Sequence, residues 1–71
     1  RTALLQGIYA LTPSESRVAE MLLHGLEVRD VGTALGMSLE TARFHTKRVL
    51  AKTGTRRQSE LIRLMLSLPH S

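Results

Sequence analysis

The sequence predicts an all-α fold: a compact four-helix domain, with room for a short extra helix at the N-terminus. Three observations carry this. Apolar residues recur three and four positions apart along the chain, as one face of a helix requires. Helix start and stop signals divide the chain at short intervals: Thr12-Pro13-Ser14-Glu15, Gly25, Gly36-Met37-Ser38, Gly54 and Pro69. The length of 71 residues allows one domain, and the absence of cysteine excludes disulfide staples and thiolate metal ligation. A chain this short buries roughly 60% of the surface its unfolded form exposes, so a thin core must be closed by good helix packing.

The segment from Arg1 to Leu11 carries apolar residues at 4, 5, 8, 9 and 11, which fits one or two turns of amphipathic helix or a linker to an upstream domain. Gly7 weakens the helical alternative by about 1 kcal/mol relative to alanine. Residues 69–71 form a tail, and the domain between spans 12–68. It opens on a capping box. Thr12 caps the orphan amides, Pro13 takes the first helical position, and Glu15 reaches back to the Thr12 amide. The helix then runs to about His24, with Val18, Ala19, Met21 and Leu22 inward and Gly25 as its stop. A second helix covers Glu27 to Leu35, with Val31 and Leu35 on one face. Glu27 is a poor cap. Gly32 lies in mid-helix, where the missing side chain lets the next helix cross closely.

Gly36-Met37-Ser38 is a turn, with Met37 inward and Ser38 capping the longest helix, Leu39 to Thr53. At about 100° per residue, Ala42, Val49, Thr53, Thr46 and His45 share its inner side. Arg43, Phe44, Lys47 and Arg48 fall on or beside the outer side. Gly54 ends this helix and Thr55-Arg56-Arg57 makes a basic loop. The last helix runs from about Gln58 to Leu68, stopped by Pro69. Leu61, Leu64, Met65 and Leu68 close the core, while Ile62 and Leu66 form a second apolar stripe. That stripe suits either a wide buried face or a symmetric dimer contact.

The net charge of +4 is unevenly placed. Ser38 to Arg57 holds Arg43, Lys47, Arg48, Lys52, Arg56 and Arg57 against Glu40 alone, or +5, which leaves −1 elsewhere. A one-signed patch on one helix and loop is the electrostatic footprint for phosphate. Two helices joined by a glycine turn, the second basic on its outer face, place side chains in the major groove of double-stranded DNA. Phe44, projecting from the middle of that face, suits thymine methyls or sugar edges. The Arg56-Arg57 loop suits backbone phosphates.

Other chemistries lack support. His24, His45 and His70 are scattered, with no second ligand at metal spacing. His45 reads as a packed, hydrogen-bonded residue of the inner side. No serine has a paired histidine and carboxylate, and no glycine-rich phosphate loop is present. One tyrosine and one phenylalanine make a poor stacking platform for single strands. No apolar run approaches the ~18 residues of a membrane span, and no signal peptide pattern appears. The expectation is a cytoplasmic, non-enzymatic domain without metal or cofactor.

Over Leu11 to about Leu66 the sequence resembles the LuxR-type, or GerE-like, helix-turn-helix domain of bacterial transcription regulators. The resemblance is carried by Leu11-Thr12-Pro13, Glu15, Val18, Gly25-Leu26, Val31-Gly32, Leu35-Gly36-Met37-Ser38, Thr41-Ala42-Arg43 and His45. It continues through Val49, Lys52, Gly54 and Glu60-Leu61. It implies a four-helix domain that binds DNA as a homodimer through its last helix, here Ile62 and Leu66. It implies base reading by Arg43, Phe44 and Lys47, and phosphate contacts at Thr41, Arg48 and Lys52. Such domains usually follow a sensing or receiver domain. The chain departs from the family pattern at Glu27, Gly32, Ala42, Phe44 and Arg57, where the family favours other residues. The expected function is sequence-specific DNA binding in a transcription regulator, with RNA polymerase as a further candidate partner. Two rivals remain: the promoter-reading domain of a sigma factor, and a protein-interaction module using the Ile62 and Leu66 stripe.

Overall fold

The computed structural model describes residues 2–67. Five helices follow in order: α1 (Thr2–Tyr9), α2 (Pro13–Leu23), α3 (Val28–Leu35), α4 (Leu39–Thr53) and α5 (Gln58–Leu66). Among the described residues there is no strand, in agreement with the all-α expectation. The N-terminal segment is helical rather than an extended linker. Leu68 and the stop at Pro69 lie outside the described residues.

α2 begins as its sequence dictates. The Glu15 amide donates to Thr12 Oγ1 at 3.1 Å, and the Thr12 amide donates to Glu15 Oε1 at 2.9 Å. Both bonds satisfy amides that a helix start leaves without partners. Its far end closes with Leu26 N–H on the Met21 carbonyl and Gly25 N–H on the Leu22 carbonyl. α3 starts without a side-chain cap, since Glu27 makes none. It ends at Gly36 with φ of 69°, and the Met37 amide returns to the Gly32 carbonyl at 2.9 Å. That left-handed backbone is where glycine avoids a steric cost of about 1 kcal/mol.

The core joins Leu11 to Val18, Ala19 and Leu22 of α2, Val31 of α3, Val49 of α4, and Leu61 and Met65 of α5. α2 lies across both α3 and α4, so it sets the angle between the two helices of the turn. α3 and α4 approach closely at Gly32. A Cβ there would stand 3.0 Å from the Met37 carbonyl oxygen and 3.5 Å from the Ala42 Cβ. The packing role expected of Gly32 is therefore met by backbone as well as side-chain neighbours.

α5 closes the bundle by a bond the sequence did not suggest. The Gln58 side-chain amide donates to the Leu22 carbonyl at 2.7 Å and the Leu26 carbonyl at 3.0 Å. The start of α5 is thereby tied to the end of α2 and the loop that follows it. Arg57 provides no side-chain cap; instead Glu60 Oε1 accepts from the Arg56 amide at 2.8 Å.

Enlarging Gly32 should open the α3–α4 crossing. Gly32→Val is expected to lower stability by about 1–3 kcal/mol, because its added carbons meet backbone and cannot be absorbed by a rotamer change. A urea titration followed by circular dichroism measures the shift.

Candidate nucleic-acid interface

α4 is built with two unlike sides. Its inner edge is Ala42 and Val49, both fully buried, and Thr53, also buried. Thr46 Oγ1 donates to the Ala42 carbonyl at 2.7 Å and Thr53 Oγ1 to the Val49 carbonyl at 2.8 Å. The two inward hydroxyls are thus satisfied within the helix itself, as burial requires. Small side chains here allow α2 and α3 to pack close, which leaves the opposite side in solvent.

On that opposite side Arg43, Phe44 and Lys47 are exposed together. Phe44 keeps 58% of its surface in water, which places it outside the core. Among the described residues neither Arg43 nor Lys47 has an acidic partner. At the start of α4, Ser38 Oγ accepts from the Thr41 amide at 3.1 Å and donates to Thr41 Oγ1 at 3.0 Å. The Thr41 hydroxyl therefore keeps its own proton for an outside acceptor.

The electrostatic centre lies where α2 meets α4. Glu15 is only 2% exposed. Its Oε2 accepts from Arg48 Nε at 2.9 Å, and its Oε1 accepts from Lys52 Nζ at 2.7 Å as well as from the Thr12 amide. Lys52 Nζ also reaches the Ala10 carbonyl at 3.1 Å. Ala10 turns the chain between α1 and α2 with a left-handed φ of 55°. Burial pushes the Glu15 carboxyl up. The hydrogen bonds from Lys52, the Thr12 backbone and Arg48 outweigh that and hold it down at about 2.

Arg43, Phe44, Lys47 and Thr41 thus share one exposed surface. Arg48 and Lys52, expected on phosphates, are both drawn to Glu15, with Arg48 half exposed and Lys52 mostly covered. Arg56 and Arg57 are exposed in the loop before α5. Ile62 is half-buried, and Leu66 is 74% exposed and outside the core. His45 departs from expectation. It is half-buried, with its ring centroid 5.7 Å from that of Phe44 in an edge-type arrangement, but its buried Nδ1 makes no hydrogen bond among the described residues. Among those residues the histidine has an aromatic neighbour and no polar partner.

Glu15 is the residue that sequence reasoning missed as part of this site. It was legible as a cap and not as an ion-pair partner. The signal was the pair Arg48 and Lys52, four apart on α4, at the edge between its inner and outer sides. Two cations one turn apart on that edge are placed to share one acid from a neighbouring helix.

The ordinary carboxyl value is 4.5, so Glu15 is depressed in the folded chain. Its ion pairs stabilise fully above about pH 4.5, and that contribution is lost as pH falls towards about 2. Urea titrations at about pH 6 and about pH 2 should differ by about 3 kcal/mol from this group. Glu15→Gln should flatten the dependence by a similar amount.

The model of the luxR family of bacterial regulatory proteins matches residues 9–65. The transcriptional regulatory protein UhpA of Escherichia coli (strain K12) is 36% identical over 55 residues, which are 78% of this chain. The match covers 28% of the length of that relative. No solved structure matches the chain.

Proposed function

The chain belongs to the luxR family of bacterial regulatory proteins, and from that premise we propose that it reads sequence in double-stranded DNA with α4 in the major groove. It is a LuxR-type helix-turn-helix DNA-binding domain of a bacterial transcription regulator. The observation that carries the finer reading is the row Arg43, Phe44 and Lys47, exposed on the side of α4 opposite Ala42 and Val49.

In this reading Arg43 and Lys47 donate to guanine O6 and N7, and the Phe44 ring packs on a thymine methyl. Thr41 at the start of α4, with Arg56 and Arg57 in the following loop, holds the backbone and fixes register. Leu66 and Ile62 supply a self-complementary apolar contact between two copies. Two-fold symmetry would then place two half-sites about one helical turn apart. The exposure of Leu66, which the fold leaves without a core partner, supports this contact.

Selection of bound sites from random duplexes tests the proposal. It should return a palindromic site, and Arg43→Ala or Lys47→Ala should relax one position in each half at a cost of about 1–3 kcal/mol. Equal weakening on every sequence would make these residues phosphate contacts instead. Leu66→Asp should leave the melting transition of the domain nearly unchanged, since Leu66 lies outside the core. It should abolish joint occupancy of two half-sites in a gel-shift titration.

A further inference from the structure

We propose that Glu15 and the Phe44 ring are positioning residues that pre-orient the guanidinium of Arg48, the side chain that the family resemblance expects on a DNA backbone phosphate. The inference rests on the DNA-reading role of α4 and adds residues on two helices to it. A guanidinium is a rigid plane with five N–H donors. Here its Nε is used by Glu15 Oε2 at 2.9 Å, and its Cζ stands 5.8 Å from the centroid of the Phe44 ring. One edge and one face are thereby fixed. The remaining donors, on the two Nη nitrogens, have no partner among the described residues, and the side chain is 51% exposed. That free edge is the one that pairs with two oxygens of a phosphate.

The charge balance points the same way. Glu15 carries one negative charge against two cations, Lys52 at 2.7 Å and Arg48 at 2.9 Å. Lys52 is the better covered of the two and is also held by the Ala10 carbonyl. It is suited to neutralise the carboxylate permanently, which leaves the Arg48 charge available outside. Glu15 is buried, so it stays in place when Arg48 meets an anion. Its position on α2 draws the guanidinium to the flank of α4 that faces α2. The flanks of a helix in the major groove face the sugar-phosphate backbones, so phosphate, not a base edge, is the partner. Ordering a long side chain on folding removes an entropic penalty from the binding step.

The test uses the 71-residue chain and a mixed-sequence DNA duplex, with affinity followed by fluorescence anisotropy over a range of salt. Circular dichroism checks folding. Glu15→Gln is diagnostic by its sign. Removing an anion near a polyanion should tighten binding by charge alone, whereas loss of a positioning residue should weaken it about fivefold. Glutamine still suits the capping box, which favours a folded variant. Arg48→Lys keeps the charge but loses the fork. It should bind about fivefold more weakly with an unchanged salt slope, while Arg48→Gln should make that slope shallower by about one.

Because Glu15 acts through Arg48, the double variant should bind no more weakly than Arg48→Lys alone. Should Glu15→Gln fail to fold, the two Arg48 variants decide the matter. Binding by Arg48→Lys within twofold of wild type, or Glu15→Gln binding as tightly as wild type or more so, overturns the proposal and leaves the DNA reading standing. A lowered melting temperature with unaltered affinity makes Arg48 a purely structural partner and overturns it too. A wild-type chain without salt-dependent duplex binding defeats the DNA reading itself.

Discussion

One buried carboxylate sets the geometry on which the domain depends. Glu15 closes the start of α2 through Thr12 and binds Arg48 and Lys52 of α4. A charge so covered would be costly if unpaired, and breaking such a pair from one side costs about 3–5 kcal/mol. The small apolar edge of α4 sets which of its sides is buried. Two charge-assisted hydrogen bonds to residues one turn apart hold the flank beside α2 in the same orientation. The rotation that satisfies Glu15 is the one that buries Ala42 and Val49 and turns Arg43, Phe44 and Lys47 to solvent.

The remaining elements serve the same placement. Gly32 lets the Met37 carbonyl and Ala42 approach, so the turn between α3 and α4 is tight. Gln58 binds α5 to carbonyls at the end of α2, the helix that also carries Glu15. Lys52 joins the same network to the Ala10 carbonyl, where α1 enters. Helix α4 is therefore referenced to α2 by ions, to α3 by close contact at Gly32 and to the turn after α1 by Lys52.

Much of this was legible in the chain because it is local. A capping box, a left-handed glycine after a helix and the three- and four-residue periodicity of Val18, Ala19 and Leu22 each concern neighbours in sequence. The outward row on α4 was legible for the same reason, since helical geometry relates residues 43, 44 and 47 without knowledge of the rest. The Glu15 pairing was not, because it joins residues 33 and 37 positions apart and depends on how α2 crosses α4. Gln58 was hidden likewise, as a polar residue that reads as surface until its carbonyl partners are in place. For His45 the inward placement was legible but its partner was not. The ring rests against Phe44, and periodicity says nothing about which polar atoms lie nearby.

A helix held in one rotation by a buried ion pair is prepared to meet a rigid duplex without further ordering, which is how pre-organisation assists binding. The most direct measurement is a nuclear magnetic resonance titration of the isotope-labelled chain with a DNA duplex, following every amide and arginine side-chain signal. The largest changes are expected at Thr41, Arg43, Phe44 and Lys47, with α2 nearly silent apart from its contact with Arg48. Changes concentrated on α1 or α5, with the outer side of α4 unmoved, would contradict the placement of α4 against DNA.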